Sequence, residues 1–245
     1  ELRSRQFWQG ILAEVLGSLV FVSAVLGSLV PGPDGVSPGP IYPALAAGMA
    51  TVVLGYCFGE ISGAQVNPAV TVALLATRKV DVLRAVVYLV AQCLGGILAT
   101  GLMYLSLPLK STAQNYINKV PVEMNAGQAL GMEMLATFLL GFTVFSVEDQ
   151  RRREINEPGN LAIGLAVTTA IFIAVYWIGP ILGAVLAGVS HEFIFAPSAS
   201  RQKLVACMTC KDIEIVETAS VSRSSLSTVT QSAMRHKQNN KLEHS

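Results

Sequence analysis

Ile61-Ser62-Gly63-Ala64-Gln65-Val66-Asn67-Pro68-Ala69-Val70-Thr71 decides the fold, because it is apolar and yet cannot be an ordinary membrane span. It belongs to a segment, Ile61 to Thr77, lying between two longer apolar runs, and the chain on either side of it faces one compartment. Asn67 followed by Pro68 is a helix start: the amide side chain caps free backbone N–H groups, and proline fits the first turn, where no N–H is needed. The segment therefore reads as a half-helix that enters the membrane and returns. Irregular backbone at that depth is tolerated only where it is buried in protein or lines a water-filled cavity.

Outward from this segment the chain is a series of spans. A bilayer core about 30 Å thick needs roughly 20 apolar residues as helix. Trp8 to Val30 meets this with Glu14 as its only charge, followed by a Pro/Gly-rich stretch from Pro31 to Pro43 and a second run from Ala44 to Phe58. Ala85 to Ser106 carries no charge, and Ala126 to Val147 only Glu133. Leu161 to Pro197 is one apolar stretch of 37 residues, broken only by Gly179-Pro180 and His191-Glu192. The composition agrees. Charged residues make up 13% of the 245, against about 25% in soluble domains, and mean hydropathy is +0.53. The first run is too long for a signal peptide and lacks a small-residue cleavage site after it.

Lys/Arg placement orients the spans. Arg3 and Arg5 precede the first, Arg78, Lys79 and Arg84 precede Ala85 to Ser106, and Arg151-Arg152-Arg153 follow Glu133's span. All are cytoplasmic if the N-terminus is. The loop from Pro31 to Pro43 has no Lys or Arg and lies outside, as does the loop with Lys110 and Lys119. For the C-terminal tail to be cytoplasmic too, the 37-residue stretch must cross twice.

The two halves repeat each other. Ala13-Glu14-Val15-Leu16 matches Met132-Glu133-Met134-Leu135 at an offset of 119, and Leu45-Ala46-Ala47-Gly48 matches Leu161-Ala162-Ile163-Gly164 at 116. Tyr88 to Ala99 then matches Tyr176 to Ala187 at only 88, which leaves the second half 28 residues short near Ala174-Val175. The missing counterpart is that of Gly59 to Val86, the stretch carrying Asn67-Pro68-Ala69. Three spans per half in opposite orientation form an inverted repeat, whose half-helices meet at the midplane. The shortfall is expected to be an omission rather than a property of the molecule, since a literal join leaves no polar turn between the last two spans.

The string from Ser62 to Thr71, the Glu14/Glu133 pair and Tyr176-Trp177-Ile178-Gly179-Pro180 together resemble the aquaporins, the major intrinsic proteins, from about Phe7 to Pro197. The resemblance implies an all-α membrane protein, with an inverted repeat of six transmembrane helices plus re-entrant half-helices. It further implies a homotetramer with one pore per subunit, residing in the plasma membrane among lipid. The expected function is passive conduction of water; the runner-up is a glycerol or urea conductor, and an adhesion or assembly protein of the same fold is the alternative from another class.

Each residue of the expected site has a physical task. Asn67 would offer its amide to a passing solute beside its plain N-cap role, at a helix end worth about half a positive charge. Pro68 fixes the first turn, and Ala69 lets two half-helices approach. Gly63, Ala64 and Gln65, taken as extended backbone, present carbonyls that accept from permeating molecules. Glu14 and Glu133, expensive as intramembrane carboxylates, are expected to accept from backbone amides of the re-entrant loops rather than relay protons. By alignment with the family, Ala47 and Ile171 occupy the outer selectivity constriction in place of Phe and His, which implies a wider and less polar gate. Glu60 stands at the cytoplasmic mouth.

Residues 1–197 are thus expected to form the channel domain, 198–240 a polar, flexible cytoplasmic tail, and 241–245 a vector-derived scar. Ser224 and Ser225 after Arg223 are candidate phosphorylation sites. Cys207 and Cys210 read as free thiols with palmitoylation as the alternative, and Cys57 and Cys93 as small core residues. No cofactor, metal or enzyme chemistry is expected, since no nucleotide loop, metal cluster or catalytic constellation is present. A net charge of +1 without a basic run gives no sign of nucleic acid.

Overall fold

The structure, a computed structural model, describes residues 3–32, 34–36, 38–107, 125–149, 159–173, 178–195 and 205. Every regular element among them is helical: α1 Arg5–Ser28, α2 Ile41–Ser62, α3 Pro68–Ala76, α4 Val82–Ser106, α5 Ala126–Glu148, α6 Gly159–Ile173 and α7 Ile178–Ser190. A single π-helical turn, His191–Phe195, continues α7. The chain divides into two compact units, Glu1–Ile194 and Phe195–Ser245. The second contains the tail with Ser224, Ser225, Cys207 and Cys210, all outside the described residues, as are the loop with Lys110 and Lys119, Arg151-Arg152-Arg153, and the junction at Ala174-Val175.

Four helices, α1, α2, α4 and α5, are long and apolar enough to cross a membrane. Among the described residues, the 37-residue stretch contributes two shorter apolar helices, α6 with 15 residues, which begins just before it, and α7 with 13. The starts of α1 and α5 are chemically marked. Ser4 Oγ accepts from the amide of Phe7 at 3.2 Å to cap α1, and Asn125 and Gln128 exchange side chain-to-backbone bonds in a capping box at α5.

The outer surface is apolar at helical spacing: Trp8, Leu12, Leu16 and Val20 on α1, Met49, Val53 and Tyr56 on α2, Val86, Val90, Leu94 and Ile97 on α4 are all exposed. Cys57 and Cys93 belong to this surface and are exposed, which corrects their reading as core residues. In a membrane protein an apolar side chain is as well suited to lipid as to the interior, so apolar character alone does not place it. Buried positions instead hold small residues, among them Ala44, Ala47, Ala73, Ala85, Ala99, Ala136, Ala184 and Ala187, which let helix backbones approach where lipid offers no hydrophobic drive to associate.

One close helix contact of the repeat is reproduced in both halves. A Cβ on Gly95 of α4 would strike the carbonyl oxygen of Val15 on α1; the repeat-related Gly183 of α7 meets the carbonyl oxygen of Met134 on α5. Each pair runs parallel. Between the halves, α2 and α6 cross antiparallel, with Gly48 against Gly164 and Gly55 against Asn160. Gly48 and Gly164 are themselves repeat partners, and a Cβ on either would lie 2.6 Å from the other's carbonyl oxygen. The pseudo-two-fold axis therefore passes between them.

Gly48→Val should lower stability by about 3 kcal/mol through overpacking, read as a fall in melting temperature in detergent, because the added Cβ would also collide with Thr168. Met49→Val, one residue along on the exposed face, should melt like the parent; equal melting of both variants would argue against the close crossing.

Candidate functional site

The site is built where α2 ends. Gly63 caps α2 in the left-handed conformation, φ 87°, and donates its N–H to Gly59 O at 3.0 Å. Ala64 and Val66 also adopt left-handed backbone, each at φ 46°. This corrects the expectation of extended backbone at Gly63 and Ala64. Non-glycine residues avoid this region, and a β-branched valine most of all, at a cost of about 1–3 kcal/mol each. What offsets it is one carboxylate.

Glu14, on α1 and fully buried, gathers the turn around itself. Its Oε1 accepts from Ser62 Oγ at 2.6 Å and from the amide of Gln65 at 3.0 Å; its Oε2 accepts from the amide of Val66 at 2.8 Å and from Gln92 Nε2 at 2.8 Å. Charge-assisted bonds of this kind are about twice as strong as neutral ones. Turning the amides of Gln65 and Val66 toward Glu14 is what the left-handed residues accomplish. Ser62 Oγ in turn accepts from the amide of Ala64 at 3.0 Å.

The network continues toward α3. Gln92 Nε2 also donates to Thr71 Oγ1 at 2.9 Å, and Thr71 Oγ1 donates to Gln65 Oε1 at 2.7 Å. Asn67 Oδ1 accepts from the amide of Ala69 at 2.8 Å, capping α3 with Pro68 in its first turn. Because Oδ1 is engaged by the helix, the amide nitrogen of Asn67 is the end of the side chain that the cap does not use. Asn67 is half-buried, Pro68 exposed and Ala69 buried.

The other expected site residues lie on the neighbouring helices. Glu133 is buried on α5 at the position matching Glu14. Ala47, fully buried on α2, and Ile171, partly buried on α6, pack in one cluster with Ala69, Val70, Ala166 and Val167. Glu60 is exposed. Gln92, Thr71 and Ser62 were not anticipated, although Gln92 carried a signal: a long polar amide in a charge-free span needs a buried partner.

The model of the major intrinsic proteins matches residues 1–175, ending where the repeat loses its counterpart segment. The chain belongs to that family. It is 33% identical over 230 residues to Aquaporin-4 of Mus musculus, covering 82% of this chain and 71% of that one. With Aquaporin-1 of Canis lupus familiaris it shares 32% over 238 residues, covering 82% and 87%. The fold resembles that of an aquaglyceroporin from Plasmodium falciparum with a TM-score of 0.57 at 18% identity, covering 86% of this chain and 99% of the other. Membership of this family makes the protein an integral, multi-pass channel-type protein and not an enzyme.

In this major intrinsic protein the carboxylate on α1 should rank first among the site's polar groups. Glu14→Ala strands four donors and should cost the most stability, at least about 3 kcal/mol by the penalty for unmet buried groups. Glu14→Gln should cost less and Gln92→Leu least, all read by thermal melting in detergent. An unchanged melting point for Glu14→Ala would contradict the ranking.

Proposed function

We propose that the chain is a passive transmembrane channel for water, with glycerol or urea as further solutes, assembled as a homotetramer in the plasma membrane with both termini cytoplasmic. The observation that carries this is the short half-helix α3, capped by Asn67 and held inside the bundle by Glu14. The helix dipole is positive at the Asn67 end. A water molecule there receives a hydrogen bond from the Asn67 amide, while cations and hydronium meet an unfavourable field. Pro68 and Ala69 set the helix start. The carbonyls of Ala64 and Gln65, opposite in direction to the amides drawn to Glu14, and that of Gly63, opposite to the Ala64 amide drawn to Ser62, are the acceptors of the single file. Glu133 is the matching buttress in the second half.

Ala47 and Ile171 are the constriction of this reading, supported by their shared cluster on the facing helices α2 and α6. Residues 1–197 are the channel domain, and the tail carrying Ser224 and Ser225 is regulatory. A second reading, a low-conductance assembly protein of the same fold, draws on the lack of a counterpart to Gly59–Val86 in the second half.

Reconstituted vesicles under osmotic shock should shrink faster than empty liposomes and hold a proton gradient as well as they do. Shrinkage at the empty-vesicle rate would favour the assembly reading. Ala47→Phe should reduce glycerol or urea flux far more than water flux, the melting temperature serving as the control for folding; if the wild type passes water and neither solute, the wide constriction is wrong. Truncation after Pro197 should leave permeability per channel within about twofold, because a polar, charge-rich tail buries too little apolar surface to support the bundle.

A further inference from the structure

The far end of α3 is held by a different set of residues. Thr77 Oγ1 donates to Ala73 O at 3.0 Å, and Arg78, left-handed at φ 59°, lets its own amide reach Leu75 O at 3.0 Å and that of Lys79 reach Leu74 O at 2.9 Å. This paired closure fixes the backbone of Lys79 relative to the helix. From there Lys79 Nζ reaches Glu192 Oε1 at 2.7 Å, in the π-helical turn after α7, and Glu148 Oε2 at 3.5 Å, at the end of α5. It also lies 4.7 Å from the centre of the Phe145 ring. Around this point Gly188 of α7 admits both Phe145 and the Thr77 methyl group, leaving no room for a Cβ. His191 Nδ1 lies 3.8 Å from the same Glu192 oxygen, so the ammonium is the nearer cation to that carboxylate.

A helix of nine residues has little stability of its own. Its first turn takes its polar bonds from the first half of the chain, while Ala69 and Val70 also pack on the second half, and Pro68 there is exposed. Its last turn is tied by Lys79 to α5 and α7, which belong to the second half. Over about 13 Å of helix, at 1.5 Å per residue, any tilt at the Lys79 end displaces Asn67.

We propose that Lys79 is a positioning residue: bridging Glu192 and Glu148, it seats the inner end of α3 on the second half of the molecule and thereby sets where Asn67 stands in the pore. The pore role of Asn67 is taken from the function proposed above, so the test includes a reading that does not depend on conduction.

The experiment compares Lys79→Met, Lys79→Arg, Glu192→Gln and the double variant Lys79→Met/Glu192→Gln, as full-length protein in detergent and in vesicles. Hydrogen exchange is followed in peptides covering residues 66–76 and, as an internal reference, residues 5–28. Lys79→Met should speed exchange of the 66–76 amides about tenfold or more, as local opening does, with the α1 peptides unchanged, and should cut water permeability per channel several-fold. Lys79→Arg, which keeps the charge and the reach, should restore both. The double variant should be no worse than the worse single one, because the two residues act as one pair. If Lys79→Met does not fold, Glu192→Gln against Lys79→Arg makes the same comparison. Unchanged exchange in 66–76, whatever happens to permeability, overturns the proposal, as do additive effects in the double variant. Absence of water flux in the wild type together with faster exchange in Lys79→Met leaves the seating role standing and removes the channel reading instead.

Discussion

A single buried carboxylate organises the irregular turn and the half-helix that follows it. Glu14 is surrounded by neutral donors rather than by a cation, and two of those donors are backbone amides that no secondary structure could satisfy. A charge at this depth is tolerated because its hydrogen-bonding demand matches the supply of an irregular turn. The turn, for its part, is tolerated because the carboxylate is there. Removing either leaves the other with buried groups unmet, which explains why a costly residue and strained backbone at Ala64 and Val66 occur side by side.

The mutual dependence spreads through side chains that bridge helices. Gln92 of α4 touches both Glu14 and Thr71, so α1, α3 and α4 share one polar core. Around it the packing is by small residues, and helix spacing is set by backbone-to-backbone approach at Gly95 and Gly183. Polar bonds fix the irregular segment; close contact of bare helix surfaces fixes the rods.

Much of this was legible in the sequence. Asn67-Pro68 marked a helix start with too few apolar residues after it to span, and the matching Glu14 and Glu133 announced the repeat. Gly48 and Gly164 were matched by offset, but that repeat partners also touch follows only from a symmetry axis in three dimensions. The left-handed residues were not legible, because alanine and valine are poor candidates for that conformation and only the hydrogen bonds to Glu14 make it favourable. Cys57 and Cys93 were misplaced because, where the solvent is lipid, an apolar residue carries no information about which way it faces. Lys79 was read only as a marker of orientation; its partners lie far along the chain, and sequence spacing cannot pair them.

The residues that meet Glu14 all come from positions 62–92, whereas those that meet the Lys79 side chain come from positions 145–192. A nascent chain emerges from its N-terminus. The polar core around Glu14 can thus close while the second half is still being made, giving α1, α2, α3 and α4 a set of mutual bonds that does not await later helices. The Lys79 side chain at the other end of α3 meets its charged partners only later. It lacks its ion-pair partners until α5 and then the π-helical turn after α7 arrive, so the half-helix is completed in two stages, and the turn carrying Glu192 is the final piece to lock it.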